Sequence, residues 1–213
     1  MPDIEESKAG QASAGARWPW RAGLVLLAAA AGFTGLALGI NHFAQAPSQD
    51  RQPAIGGPFT LTAPDGKTVT EQALAGKPFA IFFGFTRCPD VCPTSLARMA
   101  RLREKLGADG LKFAIVFVSV DVGRDKPADL GRYVGLFGTP ILGLTGTQAQ
   151  IDAIKRGYGV YSAKVSQPGG DYTIDHTAAI YLMDRHGQFA NLITYDEPDD
   201  SALAKLKALI AQA

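Results

Sequence analysis

The segment FGFTRCPDVCPTSL (residues 83–96) holds both cysteines of the chain, Cys88 and Cys92, separated by three residues and each followed by proline. Pro93 has no N–H and a fixed φ, which suits the first residue of a helix and pushes the residue before it out of the helical region, so Cys92 is expected at the N-cap. Cys88 then lies in the loop between a strand end and that cap. Both sulfurs gather at the positive end of the helix dipole, where a thiolate is stabilised and its pKa falls below the ~8.5 of free cysteine. Such thiols can exchange with disulfides or hold a soft metal. A structural disulfide is the bland alternative, but it would close only a tiny loop and stabilise weakly. The CxxxC spacing, with proline inside it, leaves a wider loop than the CxxC of dithiol oxidoreductases, one able to open around an ion.

Two thiolates alone make an incomplete metal site, and a third soft or borderline donor must come from one of three histidines. His42 follows a long apolar run and fits an interfacial polar residue. His186, in DRHGQ, fits an exposed hairpin turn. His176 stands in YTIDHTAAIYLMD, directly after Asp175 and at the start of an apolar strand, where an α/β domain brings a loop beside the first helix N-terminus. A satisfied structural histidine is the competing reading at that position.

The elements that must position these groups follow from patterning. FTLTAPDGKTVT places Pro64, Asp65 and Gly66 between two short β-prone runs, a hairpin signal. KPFAIFFGF (77–85) and LKFAIVFVSVD (111–121) are continuous apolar runs of buried-strand length. Leu96, Met99, Leu102 and Leu106 recur at helical spacing, so Met99 belongs to a core stripe. Pro127 opens a second helix that Gly138 closes, a short apolar run covers 141–144, and a helix covers 147–156. HTAAIYLMD and QFANLITY form a closing hairpin, and 201–212 is a last amphipathic helix. This alternation predicts an α/β layered domain with parallel pairing, finished by an antiparallel hairpin.

Ahead of that domain, Ala22–Ile40 is nineteen residues without a charge, close to the ~20 that cross a bilayer as a helix. Trp18 and Trp20 precede it, as do Lys8, Arg17 and Arg21, which places residues 1–21 in the cytoplasm, 22–40 in the membrane and a Pro/Gly-rich linker over 41–58. A cleaved signal peptide, with AQA at 44–46 as its site, is the alternative; its apolar core would usually be about 7–15 residues. Asp3, Glu5 and Glu6 argue against a mitochondrial presequence, leaving a bacterial inner-membrane protein with its C-terminal domain (59–213) in the periplasm. With 21 basic and 20 acidic residues in 213, no charge excess draws the chain to nucleic acid.

FGFTRCPDVCPTSL, VSVDVGRD (118–125) and DYTIDHTAAIYLMD (171–184) together resemble the Sco/SenC proteins, membrane-anchored copper chaperones of thioredoxin-like fold that help to assemble cytochrome c oxidase. The resemblance runs from about Phe59 to the C-terminus. It implies an α/β thioredoxin-like domain with an N-terminal β-hairpin behind a single transmembrane helix. It also implies that Cys88, Cys92 and His176 hold one copper ion, Cu(I) or Cu(II), for the CuA site of cytochrome c oxidase subunit II. The alternative role is a thiol–disulfide reductase, with Cys88 and Cys92 as a redox-active disulfide that keeps the CuA cysteines reduced. An upstream periplasmic copper donor or a thioredoxin-like reductant is the implied further partner. Two thiolates suit Cu(I) and an added imidazole admits Cu(II); zinc matches the donor types, but its closed structural sites usually have four protein ligands. The family commonly has proline where Val122 stands, so a local loop difference is expected there. Asp90 and Asp175 are candidates for hydrogen bonding around the metal or for partner contact.

Overall fold

The computed structural model describes residues 55–211. The expected span at 22–40, with Trp18, Trp20 and the basic residues before it, His42 and most of the linker lie outside the described residues; among those described, no helix is long and apolar enough to cross a membrane.

Strands β1 (Thr60–Thr62) and β2 (Thr68–Thr70) form the expected antiparallel hairpin. Its turn is shaped by the Asp65 carboxylate, which accepts the Lys67 N–H at 3.0 Å, and by Gly66 at φ +82. β1 also bridges Thr62 to Thr145, and its Leu61 is fully buried, so the hairpin is docked onto the domain. Residues before it are tied down too: Gly56 N–H donates to the Gly157 carbonyl at 2.9 Å.

The central sheet has the order β5 (Leu142–Leu144), β4 (Ala114–Ser119), β3 (Phe79–Gly84), β8 (Ile180–Met183), β9 (Phe189–Ile193). Its middle strand β3 (Phe79–Gly84) is buried at all six positions, as an apolar run between two covered faces must be. β4 (Ala114–Ser119) runs parallel to it, with Phe79 opposite Ala114 and Gly84 opposite Ser119. β5 (Leu142–Leu144) is parallel to β4, while β8 (Ile180–Met183) and β9 (Phe189–Ile193) complete the sheet antiparallel.

Helix α1 (Val91–Lys105) buries Leu96, Met99 and Leu102, so Met99 is core as its spacing indicated. α2 (Pro127–Val134) starts at its proline, and a short 3-10 turn carries it to Gly138, which adopts φ +65. α3 (Gln148–Tyr158) is held by a Thr147/Gln150 capping box, and α4 (Asp199–Ala211) closes the domain.

One pair of strands has no counterpart in the sequence expectations. β6 (Ser162–Ser166) and β7 (Tyr172–His176) form a separate antiparallel ribbon, with Ser162 opposite His176. His176 therefore ends β7 rather than starting the apolar strand, which begins only at Ile180.

Candidate metal centre

β3 and β4 run parallel and end side by side, and the crevice beyond the carboxyl ends of such strands is where open α/β sheets place their ligands. β3 leads through Phe85, Thr86 and Arg87 to Cys88 and then into α1. The helix starts two residues earlier than expected. Asp90, not Cys92, is the N-cap, and Pro93 is the third helical residue. Proline is tolerated there because its missing N–H falls among the first-turn donors that have no intrahelical partner. The N–H of Cys92 is another such donor, and it points at the Cys88 sulfur, 3.3 Å away. Cys88 thus does for this helix what an N-cap side chain usually does.

The Cys92 sulfur is fully buried, pressed between strand and helix. A β-carbon on Gly84 would stand 2.6 Å from it and 3.0 Å from Phe117, so glycine is what lets the sulfur seat against the strand. Cys88 is half-buried, and both cysteines are free thiols.

His176 arrives from β7. Its Nε2 lies 3.4 Å from the Cys92 sulfur, and its Nδ1 lies 3.1 Å from the Thr177 carbonyl oxygen. A carbonyl only accepts, so Nδ1 carries the hydrogen and the neutral ring leaves its Nε2 lone pair facing the thiols. The rings of Phe82 and Phe85 stand edge-on around the imidazole, with centroids 6.0 and 5.9 Å away. Asp175, a candidate for hydrogen bonding around the metal or for partner contact, is exposed, and it is the Thr177 carbonyl that the ring's Nδ1 meets. Asp90 is exposed as well and accepts the Thr94 hydroxyl at 3.1 Å.

One donor atom from each of Cys88, Cys92 and His176 lies within 4.8 Å of the others. Donors on one ion at bond lengths of about 2.0–2.3 Å sit at most ~4.6 Å apart, so the three side chains meet the requirement with a small closing movement. His186 occupies the exposed hairpin turn expected of it.

The two sulfurs differ in electrostatics. Hydrogen bonding from the Cys92 side chain, first of all, holds the Cys88 pKa down to about 4 against the opposing effect of burial. The N–H groups of Cys92 and Asp90 add to it, so the helix end contributes less than the neighbouring thiol. The same bond, and burial, push the Cys92 thiol far up, so one proton is shared by the pair and rests on the inner sulfur.

Sequence reasoning passed over the groups that hold this arrangement. Asp125, buried in the loop after β4, accepts Thr86 N–H at 2.8 Å and Thr86 Oγ1 at 2.6 Å, fixing the approach to Cys88. The Tyr133 hydroxyl is buried with no hydrogen-bond partner among the described residues, and burial raises its pKa. Only VSVDVGRD hinted at the first; nothing in the sequence marks the second.

The model of the SCO1/SenC family matches residues 47–211. "Protein SCO1 homolog 1, mitochondrial" of Arabidopsis thaliana is 40% identical over 149 residues, which are 70% of this chain and 45% of that protein. The chain spans about half the length of the curated relatives it matches, 45% to 53% for the first three. Among solved structures, Bradyrhizobium japonicum ScoI with copper bound superposes with a TM-score of 0.68 at 47% identity, covering 73% of this chain and 99% of that one. Yeast Sco1 with copper bound gives 0.68 at 35% identity, covering 76% and 91%. The described domain thus has the α/β thioredoxin-like fold of these proteins, with the N-terminal hairpin in place.

Proposed function

This chain belongs to the SCO1/SenC family, and from that premise we propose that it is a membrane-anchored copper chaperone that delivers copper to the CuA site of cytochrome c oxidase subunit II. The observation that carries the proposal is the meeting of Cys88, Cys92 and His176 donor atoms within 4.8 Å at a partly open surface. Thiolates favour Cu(I), and an imidazole with a bare Nε2 extends the site to Cu(II). A three-donor site leaves room for an acceptor's ligands, which a cargo site needs and a closed structural site does not. Residues 22–40 supply the anchor in this reading, with the domain on the periplasmic side of a bacterial inner membrane and a periplasmic donor upstream.

The test is titration of the reduced full-length chain with copper, followed by sulfur-to-copper charge-transfer absorption. One copper per chain with sulfur ligation is expected, and His176→Ala should weaken it at least tenfold, about the loss typical of disturbing a metal ligand shell. Unchanged affinity in that variant would sink the ligand assignment.

The asymmetry of the two sulfurs favours a second reading, reduction of the CuA cysteines of the oxidase. The Cys88 thiolate would attack the target disulfide, forming a mixed disulfide and releasing one target thiolate, which takes up a proton. Cys92, on losing its proton, would then attack the Cys88 sulfur, releasing the second target thiolate and leaving a Cys88–Cys92 disulfide. Two electrons pass to the target, and a thioredoxin-like dithiol must restore them. Oxidase assembly that survives His176→Ala and fails in Cys88→Ser would favour this role.

A further inference from the structure

The imidazole of the site is carried by a ribbon with little core of its own. No residue of β6 is buried, and in β7 only Ile174 is. Residues two apart in a strand share a face, so Tyr172, Ile174 and His176 all point the same way, toward the body of the domain. Ile174 supplies one buried apolar contact, the His176 ring packs beside Phe82 and Phe85, and Tyr172 supplies the polar anchorage at the other end of the strand. Its hydroxyl donates to Asp121 Oδ1 at 2.8 Å, and the Arg124 guanidinium lies over its ring, 3.6 Å from the centroid. Arg124 donates through Nε to Asp121 Oδ2 at 2.5 Å, and through Nη1 to the Tyr172 carbonyl at 2.9 Å and Asp171 Oδ1 at 3.0 Å.

Asp121 is fully buried in the loop after β4, both of its oxygens taken by these two side chains. From there the bonds continue. Asp121 N–H donates to Ser119 Oγ at 3.1 Å, and Ser119 Oγ donates to Asp125 Oδ2 at 2.6 Å. Asp125 holds Thr86, two residues before Cys88. A single run of hydrogen bonds therefore joins the loop that carries the first thiolate to the ribbon that carries the imidazole.

We propose that Tyr172 and Arg124, anchored on buried Asp121, are positioning residues that hold His176 at metal-binding distance from Cys88 and Cys92. This rests on the ligand assignment above. Neither residue is a ligand; both act through the placement of β7. A buried ion pair of this kind adds little net stability over an apolar substitute, while removing one partner is costly and releases whatever it fixed.

The experiment compares the full-length chain with Tyr172→Phe, which keeps the ring under Arg124 and loses only the hydroxyl. Val165→Ala, at an exposed position of the same ribbon, serves as control. In the metal-free protein, the amides of Thr173–Thr177 should exchange about tenfold faster in Tyr172→Phe and at the wild-type rate in the control, the scale of one lost hydrogen bond to a charged group. With copper added, affinity should fall about tenfold while sulfur charge-transfer absorption persists and nitrogen hyperfine coupling weakens. In the His176→Ala background the same change should alter affinity by less than about twofold, because partners in one interaction are not additive.

An equal loss in both backgrounds, or unaltered exchange, overturns the proposal. If His176→Ala binds copper as well as wild type, the ligand assignment fails, and the metal-free exchange rates alone decide whether the ribbon is held as described.

Discussion

Substituting alanine for Gly84 tests how tightly the inner sulfur is seated. The new β-carbon would meet the Cys92 sulfur at 2.6 Å and the Phe117 ring at 3.0 Å. Relaxed non-bonded carbon contacts lie at about 3.5–4.0 Å, so the sulfur or the strand must retreat by about 1 Å. Ala has lower unfolded-state entropy than Gly and on that ground alone would stabilise, so any loss is steric. Overpacking of a buried site costs about 1–3 kcal/mol, which should appear as a lower urea midpoint at unchanged slope. Metal sites tolerate donor displacements of only about 0.2 Å, so a shift of the Cys92 sulfur should weaken copper binding at least tenfold. The matched control is Gly135→Ala, where an added β-carbon meets nothing within 4 Å and φ is −65; that variant should be neutral or slightly stabilised. Wild-type stability and affinity in Gly84→Ala would refute the claim that this glycine makes room for the sulfur. Lost stability with unchanged affinity would show that Phe117 gives way instead.

The Cys88 thiolate should titrate near pH 4 by its ultraviolet absorbance in the metal-free protein, and Cys92→Ala should raise that value by removing the main hydrogen bond; titration near 9.0 in wild type would contradict the assigned pairing. Because folding depresses this pKa, its stabilisation is fully present above the unfolded value of 9.0 and is lost as pH falls toward 4. Cys92 runs the other way: its folded pKa is raised, so the unfolded chain gives up a proton above about 9.0 that the folded chain keeps, and stability should turn down there. Arg98→Met should lower unfolding free energy by roughly 2–4 kcal/mol in urea melts while leaving copper affinity unchanged, since it strips donors from the Thr194, Tyr195 and Glu197 carbonyls and from Asp199. Thr147→Ala should cost about 1 kcal/mol by removing the α3 cap, measured the same way.

Where burial patterns the residues, the fold was legible. The unbroken apolar run of β3 and the Leu96/Met99/Leu102 stripe of α1 leave little choice about what they become, whereas His176 was a candidate from its surroundings and entered the donor set through the Sco/SenC resemblance. The ribbon escaped notice because it buries almost nothing. YSAKVS and DYTID do alternate apolar with polar residues, but the runs are short and the face they mark stays exposed or half-buried except at Ile174, so burial does not reinforce the pattern. The shift of the α1 start has a different origin. Pro93 is compatible with several first-turn positions, and the choice among them is made by a sulfur outside the helix, which no helix-start rule considers. Asp121 and Asp125 both lie in VSVDVGRD, but nothing in that stretch marks them as buried, since a carboxylate in a loop is exposed far more often than it is a hub.

The inner and outer sulfurs also impose an order of departure on any cargo. Cys92 is fully buried behind Gly84 and Phe117, whereas Cys88 and His176 are only half-buried, so on the proposed reading an incoming ligand would reach that pair first. On the proposed chaperone reading, transfer would then have one geometric direction, with an acceptor approaching over the Cys88 side and Cys92 the last donor to let go.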